Sequence, residues 1–222
     1  MYKKQFTVLS LQQRCFLRKK SLSFPSFDDM TDEDLGDIKD LTDTFNILQG
    51  YGLALPQIGV HKRAVVVNLK ALGVENGAAL EVMINPEIET WGDEQRNEEA
   101  CFSVPHISAR VRRPNNCRVK YTDAEGTSKS IELEGFPAAC LQHEIDHLDG
   151  VLYIDKVGSA FRSMLMKKVM KIEKSIRKKK EEARLEFERE HREIHGISPS
   201  KTTSTKKRKK ARKKRPRRSK KK

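Results

Sequence analysis

An α+β fold is predicted for this 222-residue chain: mostly antiparallel sheets around a central His-Glu-x-x-His helix, then a long charged C-terminal helix and a basic, disordered tail. Three observations predict it. Short apolar runs bounded by turn residues read as strands, and stretches of helical periodicity lie between and after them, with no internal repeat. The helical stripe that begins near Ser159 is strongly charged on its other faces. The final 22 residues hold 15 Lys and Arg and no acid.

Along the chain, Phe6 to Leu9 reads as a short strand and Cys15 to Ser21 as an ordered arm. Asp32 to Leu48 carries apolar residues at Leu35, Ile38, Leu41, Phe45 and Leu48, an amphipathic helix whose first turn is acidic, as the helix dipole prefers. Gly50-Tyr51-Gly52 ends it. Ala64–Val67 is a buried-strand run, Val82–Ile84 another, and Arg118–Tyr121 with Lys129–Leu133 forms a hairpin around Asp123-Ala124-Glu125-Gly126. Phe136–Leu148 is a helix with Gly150 as its stop. Val151–Ile154 reads as a further strand. From Gly158 the stripe Phe161, Leu165, Val169, Ile172, Ile176 marks the charged helix. The expected division is 1–157 catalytic domain, 158–196 charged helix and 197–222 Lys/Arg-rich tail, disordered by composition.

The charge excess belongs to the tail. The chain has 45 Lys and Arg against 31 Asp and Glu, so removing the tail's 15 leaves 30 against 31, a near-neutral body. Polyanion binding is therefore an expectation for the tail alone. Four cysteines in a chain of this length make no disulfide scaffold and favour a reducing compartment. No apolar run approaches the ~20 residues that span a bilayer, so no membrane partner is expected. The first 27 residues hold six basic residues and no acid, which is transit-peptide composition. The expected location is cytoplasmic, with import into a mitochondrion or plastid as the alternative.

Residues 143–147 read His-Glu-Ile-Asp-His. On a helix, His143 and His147 share a face and can converge on one metal ion, with Glu144 beside them as a base for metal-assisted hydrolysis. A hydrolytic site needs a third protein ligand and one open position. Downstream, Glu173, Glu181, His191 and His195 fall on the charged helix, whose polar face should be solvated. Cys101, upstream in Glu99-Ala100-Cys101-Phe102-Ser103, is the better candidate. Cys140 reads as packed on the helix's apolar face, Asp146 and Asp149 as a solvated face with support of the histidines as the alternative. His61 and His106 read as loop residues. Cys with two His would by itself suggest Zn.

Three segments, in order and at matching spacing, resemble the signature motifs of peptide deformylases: Gly50-Tyr51-Gly52-Leu53-Ala54-Leu55-Pro56-Gln57, Glu99-Ala100-Cys101-Phe102-Ser103, and Gln142 to Gly150. The departures are Leu55, Ala100 and Phe102, two of them larger side chains expected beside the substrate cleft. The resemblance implies one divalent ion, Fe(II) above Zn, Ni or Co, held by Cys101, His143 and His147. It further implies removal of the formyl group from N-formylmethionyl nascent peptides, with Glu144 moving the proton. The Gln57 amide and the Phe102 backbone N–H stand at the positions of donors to the formyl oxygen. Gly52 is expected to let the cleft backbone pair with the peptide as an added strand. Arg113 is expected to pair with Glu99, since a carboxylate beside a metal thiolate is costly if unpaired. The tail is expected to meet ribosomal RNA. The competing reading is a catalytically impaired deformylase-like protein that serves as a ribosome- or RNA-binding module.

Overall fold

The computed structural model describes residues 2–194, so the basic tail, and His195, lie outside the described residues. The chain divides into two compact units, Met1–Ile176 and Arg177–Lys222. In order, the elements are α1 (Leu11–Phe16), α2 (Asp32–Leu48), β1 (Gly52–Ala54), β2 (Ala64–Val67), β3 (Glu81–Cys101), β4 (Val104–Thr122), β5 (Ser128–Glu134), α3 (Gly135–Leu148) and α4 (Ser159–Ile194). Short 3-10 helices cover Phe27–Asp29, Leu55–Ile58 and Tyr153–Asp155.

The strands form one antiparallel sheet in sequence order, β1 at one edge and β5 at the other. The β2 run explains why helices cover both faces. Its four residues are all buried, and alternation sends Val65 and Val67 to one face and Ala64 and Val66 to the other. On the first face they pack with Leu141, Ile145 and Leu148 of α3. On the second they pack with Ile38, Leu41 and Phe45 of α2. The expected α2 ends on Gln49 in the left-handed region, just before Gly50. The expected α3 ends before Gly150, whose φ is +73° and whose missing side chain leaves room for the Arg18 carbonyl.

Three local expectations fail. Val151–Ile154 is no strand: it runs into the Tyr153–Asp155 3-10 helix, because the Leu152 N–H is captured by the Asp155 carboxylate at 2.8 Å. Phe6–Leu9 joins no strand of the sheet, although backbone bonds to Gln57 and Ser103 tie it down. His106 lies within β4 rather than in a loop. In α4, Leu165 and Val169 are buried against Val104, Ile107 and Tyr153, so this part of the helix completes the core.

Asp34 gives the first test. It closes a capping box with Thr31, and its other oxygen takes the Lys62 ammonium at 2.7 Å. The Lys62 bond, followed by those from Thr31, holds its carboxyl at about 2. A depressed carboxyl stabilises the fold above its ordinary pKa, and that contribution disappears as pH falls toward about 2. Asp34→Asn is expected to cost about 1–2 kcal/mol at pH 7. Urea unfolding should show the gap between parent and variant closing once the pH drops below about 4.

Candidate metal centre and catalytic cleft

The β3–β4 hairpin turns on two residues, Phe102 and Ser103, between the paired Cys101 and Val104. A tight turn at that point delivers Cys101 to α3, where His143 and His147 sit one turn apart. The Cys101 thiol and the ligating nitrogens of both histidines all lie within 4.8 Å of one another. Among the described residues this is the only such cluster. The Cys101 Sγ is 3.2 Å from His147 Nε2. His143 turns its Nδ1 to the Glu99 carboxylate at 2.7 Å, which leaves Nε2 for a metal and fixes the ring. Cys140 is not in the cluster; it lines the cavity, and burial pushes its thiol up to about 12.

Beneath the cluster lies a charged lattice. Arg113, buried, grips Glu99 with two bonds of 2.5 and 2.9 Å and reaches Asp146 at 2.7 Å. The expected Arg113–Glu99 pair is present. Asp146 is a correction: it faces Arg113 and Lys156, and Asp149 holds Arg63 at 2.7 Å, so neither is simply solvated. Burial alone would raise the Glu99 carboxyl, yet the bonds from Arg113 and His143 hold it at about 2. Burial drives His147 toward the neutral imidazole that a metal requires.

Glu144 is buried next to the cluster, and burial pushes its carboxyl up to about 7. Among the described residues its Oε2 has no hydrogen-bond partner, nor does the buried His147 Nδ1. A cysteine sulfur, two imidazoles and a buried carboxyl with one unpartnered oxygen are the donor set and base that a hydrolytic divalent ion needs, so the residues fit such an ion. The cleft is a cavity of about 530 Å³ whose walls include Gly52, Gln57, Cys101, Phe102, His143 and Glu144. The Gln57 side chain is fixed by its Oε1, which accepts from the Ala54 N–H at 2.8 Å. Its Nε2 points to Cys101 Sγ at 3.5 Å and Ser103 Oγ at 3.3 Å.

Residues 6–162 match the family model described as polypeptide deformylase. The chain belongs to the peptide deformylase family. This deformylase is 42% identical over 159 residues to a peptide deformylase of Zymomonas mobilis, covering 70% of this chain and 88% of that one. A peptide deformylase of Pelagibacter ubique is 39% identical over 142 residues, covering 64% and 81%. A crystal structure of the peptide deformylase of Ehrlichia chaffeensis in complex with actinonin superposes with a TM-score of 0.67 at 31% identity, over 78% of this chain and 98% of that one. That of Legionella pneumophila gives 0.66 at 35% identity, over 78% and 96%.

Of the motif departures, Leu55 does not border the cleft. It is fully buried among Phe24, Ile38 and Leu41 and enlarges the core of the deformylase instead. Ala100 and Phe102 do line the cavity, and the Phe102 ring lies over Gly50, where an added Cβ would come within 2.9 Å of it. The downstream residue Glu173 accompanies His106 at 3.4 Å, outside the cluster. For Asp146 the second of the two sequence readings is the nearer one, because its bond to Arg113 joins it to the Glu99–His143 contact.

Gly52 has a steric duty that spacing did not reveal. A Cβ there would come within 2.5 Å of Glu144 Cγ and 2.7 Å of its carboxylate. Gly52→Ala must push the carboxylate aside, and a displacement of about 1 Å can cost about 100-fold in rate. The expected result is a loss of that order in kcat with metal content unchanged, read from formate release and metal analysis.

Proposed function

We propose that Glu144, the Gln57 amide and the Phe102 backbone N–H carry out deformylation in this protein, at an ion held by Cys101, His143 and His147. The overall activity is metal-dependent hydrolysis of the N-formyl group of nascent N-formylmethionyl polypeptides, releasing formate. The observation that carries the assignment of roles is the convergence of three ligand atoms within 4.8 Å beside a buried carboxylate.

A divalent ion in this site supplies Lewis acidity, activating water near neutral pH and polarising the formyl oxygen. Glu144 accepts the proton that water loses as its oxygen bonds to the formyl carbon. Gln57 Nε2 and the Phe102 N–H donate to the formyl oxygen as charge gathers there. Glu144 then returns the proton to the departing amine as the C–N bond breaks, leaving formate and a free amino terminus. Burial raises the Glu144 carboxyl and a bound cation would lower it again, so one group can both take up and return the proton. β1 lies at the sheet edge, and Gly52 carries no side chain, so an extended peptide can add to it as a strand.

Fe(II) is the proposed ion; a thiolate with two imidazoles would also hold Zn, Ni or Co. The decisive experiment is anaerobic loading with Fe(II) or Ni(II), followed by formate release from formyl-Met-Ala-Ser. A metal-loaded protein without turnover would favour the impaired binding-module reading over this one.

The proposed compartment is the cytoplasm, where the free cysteines would stay reduced. Organellar import is the alternative, but removing the first 27 residues would strip Val8, Leu17 and Phe24 from the core. No helix of the described residues is long and apolar enough to cross a membrane. For the 15 basic residues of 201–222 we propose phosphate contacts with ribosomal RNA. Deleting residues 201–222 is expected to weaken ribosome co-sedimentation by more than about tenfold at low salt, with turnover of the free peptide unchanged; the parent's binding should itself fall steeply as salt rises.

A further inference from the structure

The two donors assigned to the formyl oxygen come from different parts of the chain. Gln57 sits in the 3-10 helix after β1, Phe102 in the β3–β4 turn, and within the sheet β2 stands between β1 and β3. Donors aimed at developing charge help only if their spacing is set in advance. The N-terminal segment ties both elements together. The Phe6 N–H donates to the Gln57 carbonyl at 2.6 Å, and two residues on the Val8 N–H donates to the Ser103 carbonyl at 2.9 Å.

The segment is anchored at both residues. The Val8 side chain is buried among Val104, Tyr153, Leu165 and Val169. The Phe6 ring covers Gly59, the positive-φ residue that ends the Gln57 helix, so closely that a Cβ there would come within 2.8 Å of it. The same ring meets Phe16 of α1 edge-on at 5.2 Å. Between them, the Thr7 N–H donates instead to Gln13 Oε1 of α1 at 3.1 Å. Three successive amides thus alternate: site, support, site.

We propose that Phe6–Val8 is a positioning strap for deformylation, whose two inward N–H groups hold the Gln57 helix and the Phe102–Ser103 turn at a fixed separation. This rests on the donor roles given above. The strap touches no substrate; it acts through Gln57 and Ser103.

Backbone esters test it in the full-length chain. Cys15 is exposed, so a synthetic segment 1–14 can be joined there to the rest with the native residue restored at the junction. An ester in place of the Phe6 or Val8 amide deletes one inward donor and no side chain. An ester at Thr7 deletes the outward one as a control. The metal-loaded proteins are assayed on formyl-Met-Ala-Ser. Expected is a kcat lowered about tenfold for the Phe6 and Val8 esters with KM within about twofold, while the Thr7 ester lowers only the melting temperature. Unchanged kcat in all three, or a loss in all three that follows their melting temperatures, would overturn the strap. If the all-amide ligated protein released no formate, the deformylase roles themselves would fall and the strap's role with them.

Discussion

Glu144→Ala is expected to lower kcat on formyl-Met-Ala-Ser by about 1,000-fold or more with metal content unchanged, because it removes the group proposed to move the proton in both halves of the reaction. Glu144→Gln does the same, since an amide fills the space but cannot accept the proton. The loss is not one of folding. Burial holds the parent carboxyl at about 7 against an ordinary value of 4.5, so the folded state binds its proton more tightly than the unfolded chain does. A raised carboxyl stabilises nothing at high pH; it costs stability progressively as pH rises from about 4.5 to 7 and stays costly above. The metal-free Gln variant is therefore expected to melt at the same temperature as the parent near pH 4 and higher than it at pH 8. For catalysis the sign is opposite, since only the ionised form accepts a proton, and kcat/KM should fall on the acid side. A bound cation favours the carboxylate, so the loaded enzyme's acid limb lies below pH 7. Activity lost together with melting temperature at pH 8 would refute the assignment.

What the sequence made legible was whatever has its own local signal. The α2 stripe from Leu35 to Leu48 and the β4–β5 hairpin around Asp123 appear where periodicity and turn residues put them. The cluster of candidate ligands was legible because helix geometry fixes His143 against His147, and the motif around Cys101 supplied the third member. The long arm of β3 and β4 was not. Its outer stretch, Glu87 to Glu98, is held by cross-strand pairing such as Glu89 with Arg118 and Glu98 with Arg110, and has almost no apolar residue to announce a strand. In β4 the buried alternation Ile107, Ala109, Val111, Arg113 was present but short, flanked by Pro105 and Pro114 and ended by a buried Arg whose pairing with Glu99, not its place in a strand, was what the sequence suggested. For Asp146 the choice between its two readings was open in the sequence, since its partner is 33 residues away and appears only once α3 lies on β4. The N-terminal strap was not legible, since two backbone bonds to loops leave no pattern in side chains.

Arg113→Ala carries the second large effect, and it separates stability from metal binding. The guanidinium is 1% exposed and supplies three short bonds, two to Glu99 and one to Asp146. Removing it leaves a buried carboxylate whose remaining partner is His143, and breaking a buried pair in this way costs about 3–5 kcal/mol. The melting temperature should fall accordingly at pH 7, and the gap should narrow in acid, because the parent's Glu99 benefit is present above about 4.5 and lost as pH falls toward about 2. Metal affinity should drop about 10- to 100-fold as His143 loses a fixed anionic partner. Arg113→Lys restores a charge but not the planar two-bond grip, so it should recover part of the stability and little of the affinity. The double change Arg113→Met with Glu99→Gln removes both buried charges together. Such a replacement can be neutral or stabilising, yet His143 would then have only an amide to hold its ring. If that protein melts like the parent and still binds metal weakly, the lattice beneath the ligands is kept for the metal rather than for the fold; if its affinity recovers along with its stability, the reverse holds.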